Sequence, residues 1–282
     1  MSRLRVSAIS FLNTAPLMWD LEHGPAGDHF EIEYTIPSRC ALALAQGSAD
    51  IGIIPAVTYA EIPGLVILPR IAIAAKDHVR SILLVSKRPL DDVKTVATDT
   101  SSRTSVALTQ ILFAKFWGGH REFTPHPPDV NEMLKSYDAA LLIGDSALQI
   151  SLHDSPYHLY DLGHEWKRLT DKPFVFAFWA VRLDALQRRP VDLDLARIFQ
   201  QSRDHGLEPA NIAILAREWA PKLGLTEAEV ISYLTENIHY ALDRENHAGL
   251  QLFLQFAHEV GVIASVPDLR FLGPVVFGSA KK

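Results

Sequence analysis

The sequence predicts an α/β protein of two lobes with a cleft between them and a helical C-terminal region. At 282 residues the chain exceeds what one compact core usually reaches. Short apolar runs alternate with helical patterns, and after a polar, proline-containing stretch the alternation starts again. Everything from about Asp192 onward reads as helix.

Taken in order, "RLRVSAIS" is a first strand, and Asn13 to Pro16 form the loop that ends it and opens a helix at Leu17. "EIEYTIP" is a second strand, followed in "SRCALALAQGSAD" by an Ala/Leu helix with Ser38 as N-cap and Gly47 as stop. "IGIIP" is short, apolar and continuous, the pattern of a buried parallel strand. "GLVILP", "IAIAA" and "VRSILLVS" lack helical periodicity and read as strands close to the middle of a sheet. "KRPLDDVKT" marks the crossing into a second lobe, which repeats the pattern as strand "TVATD", helices "SVALTQILFAKFWG" and "PDVNEMLKSY", and strand "AALLIGD". "KPFVFAFWAVR" is a long strand returning to the first lobe. These boundaries assign residues 1–88 and 180–282 to the first lobe and 89–179 to the second. In the C-terminal region Thr226 and Glu229 stand in capping-box spacing at the head of "TEAEVISYLTENIHYAL", and "HAGLQLFLQFAHEVG" keeps a 3.6-residue period. No internal sequence repeat accompanies the two lobes.

Composition narrows the function classes. A net charge of −6 disfavours a nucleic-acid surface, since phosphate binding depends on Lys and Arg. The single cysteine, Cys40, makes no internal disulfide and fits a reducing cytoplasm. The apolar stretch at the start is broken by Ser7, Ser10 and Asn13, so it reads as neither a signal peptide nor a membrane span. The 12 histidines are scattered and show no metal-ligand spacing, so no metal is expected. Neither a Gly-rich phosphate loop nor a nucleophile elbow occurs, and "FLGPVVFG" at the C-terminal end lacks the dinucleotide fingerprint.

The candidate site comes from the strand-to-helix turns that carry donors, because helix N-termini aimed into one cleft collect negative charge. Four segments qualify: Asn13 and Thr14; Ser38 and Arg39; Arg80 and Ser81; and Ser101 to Ser105. Each has an ordinary structural explanation as a cap, a turn or a surface charge. The last turn is different, because one cap needs one hydroxyl and this turn offers five: Thr100, Ser101, Ser102, Thr104 and Ser105. With Arg39, Lys76, Arg80 and Arg103 nearby in an otherwise acidic chain, the natural ligand is a small polycarboxylate.

"ISFLNTAPL", "IPSRCALALAQGSADIGIIPAVTY", "GLVILPRIAIAA", "VRSILLVSK", "TSSRTSVALTQILF" and "AALLIGDSAL", in this order, resemble the chorismate dehydratases of the futalosine pathway of menaquinone biosynthesis. The likeness runs over roughly residues 5 to 180. The active-site histidine of the sister dihydroxynaphthoate synthases has no counterpart, since the corresponding second-lobe strand ends in Gly144 and Asp145. The resemblance implies a fold like the type II periplasmic binding proteins. It also implies removal of water from chorismate to give 3-[(1-carboxyvinyl)oxy]benzoate, without a cofactor. On this reading Ser102, Thr104 and Ser105 hold one carboxylate of chorismate, Ser38 and Arg39 help with the other, and Asn13 and Ser81 orient the reacting ring. Gly144 and Asp145 complete the substrate site. The resemblance further suggests that the substrate's enolpyruvyl carboxylate takes the proton. Asp145 is the rival base, and a helix-capping role is its plain alternative. Because a binding-protein fold more often binds than catalyses, a cytoplasmic binding or sensor module for a small aromatic carboxylate stands as the alternative function.

Overall fold

The computed structural model describes residues 3–152, 155–190 and 192–273. Among the described residues ten strands form two five-stranded sheets. The first sheet holds β1 (Leu4–Ile9), β2 (Phe30–Thr35), β3 (Ile51–Pro55) and β4 (Leu65–Ala75). The second holds β5 (Ile82–Ser86), β6 (Thr95–Asp99), β7 (Glu122–His126), β8 (Ala139–Ile143) and β9 (His158–Asp161), after which β10 (Phe174–Arg182) returns to the first.

The spatial order is β2-β1-β3-β10-β4 in one sheet and β7-β6-β8-β5-β9 in the other. In each, the first three strands run parallel, and the fourth, delivered by the crossing chain, runs antiparallel to both neighbours. The two lobes therefore repeat one topology without a repeat in sequence. The termini of "TVATD", "AALLIGD" and "KPFVFAFWAVR" fall close to the predicted strands.

Two expectations about the crossings are corrected. "VRSILLVS" belongs to the second sheet, where Ile82 pairs with Ile143 and Leu83 with Asp161, so the chain crosses before Ile82 and not at residue 89. The return likewise falls before Phe174 and not at residue 180. Three further differences are local. "GLVILP" and "IAIAA" are halves of the single strand β4, interrupted at Pro69 and Arg70, where Arg70 has φ 67°. Asn13 to Pro16 are part of a 3₁₀ helix, Leu12–Met18, instead of a loop. "TEAEVISYLTENIHYAL" is helical only to Asn237, and His239 then pairs with Ala74 on β4.

Period-2 alternation splits the second sheet between two cores. Leu84, Leu141 and Ile143 join the large core that continues into the first lobe, whereas Leu83, Val85, Ala140 and Leu142 pack on the other face with Met133 and Leu134. The first sheet is closed at its β4 edge by the C-terminal region: Ile67 donates to the Arg270 carbonyl at 2.7 Å, and Ala74 and His239 exchange bonds of 2.8 and 3.0 Å. Asp50 pins the start of β3 to β1 and to the Leu183–Arg188 helix through Arg5 and Arg188, at 2.8 and 2.7 Å. Burial pushes its carboxyl upward, but those two guanidiniums and the Arg5 N–H prevail and hold it at about 2. Among the described residues no helix is long and apolar enough to cross a membrane.

Candidate active site

Between the lobes lies a cavity whose empty space, including the part open to solvent, is about 430 Å³. Its walls are apolar, with Phe11, Ile73 and Phe176 from the first lobe and Ile82 and Ile143 from the second. Polar groups enter from two places: Asn13, just after β1, and the turn Ser102 to Ser105, just after β6.

The second turn is held by Asp99, the last residue of β6. Its buried carboxylate accepts the Ser101 N–H at 2.8 Å, the Ser101 hydroxyl at 2.6 Å and the Ile143 N–H at 3.3 Å. Ser101 is thereby used up in shaping the turn. The helix that follows, Thr104–Lys115, begins after Arg103 with no side chain capping it. Its first N–H groups lack partners within the helix and carry the positive end of its dipole. Beside them the Ser102 hydroxyl is buried, with the residue 7% exposed, and has no hydrogen-bond partner. A buried unpaired hydroxyl is costly, so this arrangement suits an incoming anion.

Of the predicted site residues, Asn13, Ser102, Thr104, Ser105 and Gly144 line this cavity. Ser81 is fully buried one residue behind the lining Ile82, and its carbonyl accepts the Gly144 N–H at 2.8 Å. Asp145 lies outside the lining and does not cap a helix. Its carboxylate accepts the Leu12 N–H of the other lobe at 3.1 Å, and burial raises its pKa to about 6 despite that bond.

Two expectations at the opposite helix do not hold. Ser38 is not an N-cap: Ile36, extended at φ −91° and ψ 157°, caps a helix that begins with Pro37, as a residue before proline is inclined to do. Instead Ser38 ties the lobes together, donating from its N–H to the Ser101 carbonyl at 3.1 Å and from its hydroxyl to the Thr100 carbonyl at 3.3 Å. Arg39 is exposed and outside the lining. Gly47 does stop that helix, with φ 73°.

The other anticipated cations are also committed elsewhere. The Arg80 guanidinium binds the carbonyls of Ala147, Leu148 and Ile150 at 2.8–3.0 Å, and Lys76 lies 4.0 Å from Asp243. Arg103 alone among these reaches the cavity wall, while pairing across the cleft with Glu61 at 3.3 Å. Together with a bond from Val57 N–H to Thr104 Oγ1 at 3.3 Å, these contacts describe a closed cleft. Asp77, His78 and His164 bring ligand-type atoms within 4.8 Å of one another at the first crossing, and none of the three lines the cavity.

Sequence reasoning missed two side chains. Phe11 packs on Gly144, which has φ 59° and no room for a side chain: a Cβ there would sit 2.5 Å from the Phe11 ring. Tyr233, from the C-terminal region, is 2% exposed and donates its hydroxyl to Ser81 Oγ at 2.8 Å. The one available signal was a tyrosine on a core stripe, whose hydroxyl needs a partner.

Among relatives, the chain is 28% identical to the chorismate dehydratase of Thermus thermophilus over 261 residues, covering 87% of this chain and 92% of that one. Among solved structures, a protein of Archaeoglobus fulgidus superposes with a TM-score of 0.70 at 18% identity, over 93% of this chain and 98% of that one. The periplasmic aliphatic sulphonate binding protein of Escherichia coli superposes with a TM-score of 0.66 at 16% identity, over 100% and 96%. These likenesses establish the periplasmic-binding-protein-like fold. The model of a family described as menaquinone biosynthesis matches residues 4–259, and the chain belongs to that family.

Proposed function

We propose that this chain removes water from chorismate, yielding 3-[(1-carboxyvinyl)oxy]benzoate for menaquinone biosynthesis. The observation that carries the reading is the interlobe cavity, apolar enough for a ring, where Asn13 and the unpaired Ser102 hydroxyl meet an uncapped helix start. In the proposed step the C–H bond at the ether-bearing ring carbon breaks and its proton passes to the substrate's enolpyruvyl carboxylate. The electron pair spreads through the diene toward the ring carboxylate, then forms the last double bond of the aromatic ring as the neighbouring hydroxyl departs, leaving with a proton as water. The reaction is redox-neutral and gains aromaticity, so it calls for no redox cofactor.

Ser102, Thr104, Ser105 and the backbone N–H groups beside them hold the ring carboxylate, where donors fixed in advance stabilise the developing charge. Asn13, backed by Ser81, orients the ring and the enolpyruvyl arm so that the second carboxylate stays near the C–H bond. Ser38 serves closure instead of binding, and Asp145 ties the lobes. A reducing cytoplasm, where Cys40 remains a thiol, suits this role.

The test is to mix catalytic protein with excess chorismate and follow the absorbance change as the cyclohexadiene becomes a benzoate. Conversion of many equivalents supports the proposal; stoichiometric binding without conversion replaces it with a binding or sensor role. Asn13→Ala should lower kcat by about 100-fold while leaving the unfolding temperature nearly unchanged, the pattern of a lost transition-state contact.

A further inference from the structure

We propose that Tyr233 is a positioning residue, whose hydroxyl holds Ser81 in the orientation the reaction needs. This inference rests on the function proposed above and deepens it. Tyr233 lies in the C-terminal region, 152 residues from Ser81 in sequence, yet its hydroxyl lies 2.8 Å from Ser81 Oγ in a fully buried setting.

A serine hydroxyl has one hydrogen to donate and two lone pairs to receive with. Because Tyr233 donates, it fills one lone pair of Ser81, and the Ser81 hydrogen is left to point elsewhere. Accepting a hydrogen bond also strengthens the accepting hydroxyl as a donor. Tyr233 thus fixes the direction and raises the polarity of the Ser81 O–H. Burial keeps the phenol protonated, with its pKa raised well beyond the ordinary tyrosine range, and hydrogen bonding to Ser81 and to the Asn13 side chain lowers it only in part.

The backbone supports the assignment. Tyr233–Asn237 form a π-helical turn directly after the Glu227–Ser232 helix. Such turns trade regular hydrogen bonding for a shifted side-chain direction and recur at functional sites. Tyr240 provides an internal comparison: it is equally buried, at 4% exposure, but its hydroxyl has no partner.

The experiment compares kcat and KM for chorismate in the full-length wild type, Tyr233→Phe, Tyr240→Phe, Ser81→Ala and the double variant Ser81→Ala/Tyr233→Phe, with thermal unfolding of each. Tyr233→Phe should lower kcat by about 10-fold or more with KM within about 3-fold, the split expected of a group acting on the transition state through another residue. Tyr240→Phe should leave both constants unchanged. In the Ser81→Ala background Tyr233→Phe should add nothing, because the residue it acts through is gone. The double variant leaves no unpaired donor, so it reports on the coupling even if the single variant folds poorly. Wild-type kcat in Tyr233→Phe, an equal loss in Tyr240→Phe, or a further full loss in the double variant would overturn the inference while leaving the dehydratase reading intact. A wild type that converts no chorismate would remove the dehydratase reading and this inference together.

Discussion

Gly144→Ala isolates the closed state of the cleft. The new Cβ would lie 2.5, 2.7 and 2.9 Å from three ring atoms of Phe11, where ordinary contact begins at 3.4 Å. Crowding of this kind costs about 1–3 kcal/mol. The backbone at φ 59° adds about 1–2 kcal/mol for any side chain, with the lobes open or closed. The two costs fall differently, because Phe11 sits on the first lobe and Gly144 on the second. Opening the cleft relieves the clash but not the backbone strain. The variant should therefore lose about 1–2 kcal/mol of unfolding stability and, separately, shift the balance toward the open form by about 5- to 150-fold. Small-angle scattering should show a larger radius of gyration with ligand present, and kcat/KM for chorismate should fall at least 5-fold by the same reckoning. Adding Phe11→Leu should recover part of the loss. Wild-type kcat/KM and an unchanged radius in Gly144→Ala would refute the claim that turnover requires this contact.

Asp145→Asn separates an electrostatic cost from a catalytic role. With a folded pKa of about 6 against an ordinary 3.8, Asp145 keeps its proton longer when folded. Its stabilising influence is therefore complete below pH 4 and is lost as pH rises through 6. The asparagine variant escapes that loss, so denaturant unfolding should find it equal to wild type near pH 4 and up to about 3 kcal/mol more stable at pH 8. Turnover should stay within a few-fold of wild type, because the substrate's own carboxylate takes the proton; abolished turnover would make Asp145 the base. Ser102→Ala removes a buried hydroxyl that has no partner, so the melting temperature should hold or rise while KM for chorismate increases about 10-fold. An unchanged KM would remove Ser102 from the anion site.

The sequence made the inner parallel strands legible because continuous apolar runs such as "IGIIP" are buried on both faces. The capping box at Thr226 and Glu229 was equally legible, since all its groups are local, and it forms as expected. Sheet membership was not. Ile82–Ser86 has the same apolar character as β4, and only pairing with strands more than fifty residues ahead places it in the second sheet. The edge strands β7 and β9 were missed because they are half-exposed and lack the apolar signature. In the site, the surplus of hydroxyls at Ser102 to Ser105 pointed to the cavity. Ser38 misled because Ser is a common cap, although Pro37 at the first helical position marks Ile36 as the residue before the helix. Tyr233 offered only a tyrosine on a core stripe, and nothing local named the partner of its hydroxyl, which lies 152 residues away.

The threading of β10 into the middle of the first sheet has a consequence for how the protein emerges during synthesis. The second sheet is built from the uninterrupted stretch Ile82–Asp161 and has all its strands as soon as that stretch is free. The first sheet has no such option: β3 and β4 are made early, yet they touch only through β10, which arrives a hundred residues later. Until then two strongly apolar strands wait with unpaired edges, the kind of intermediate that aggregates or recruits chaperones. The lobe that begins the chain is thus the last to be finished.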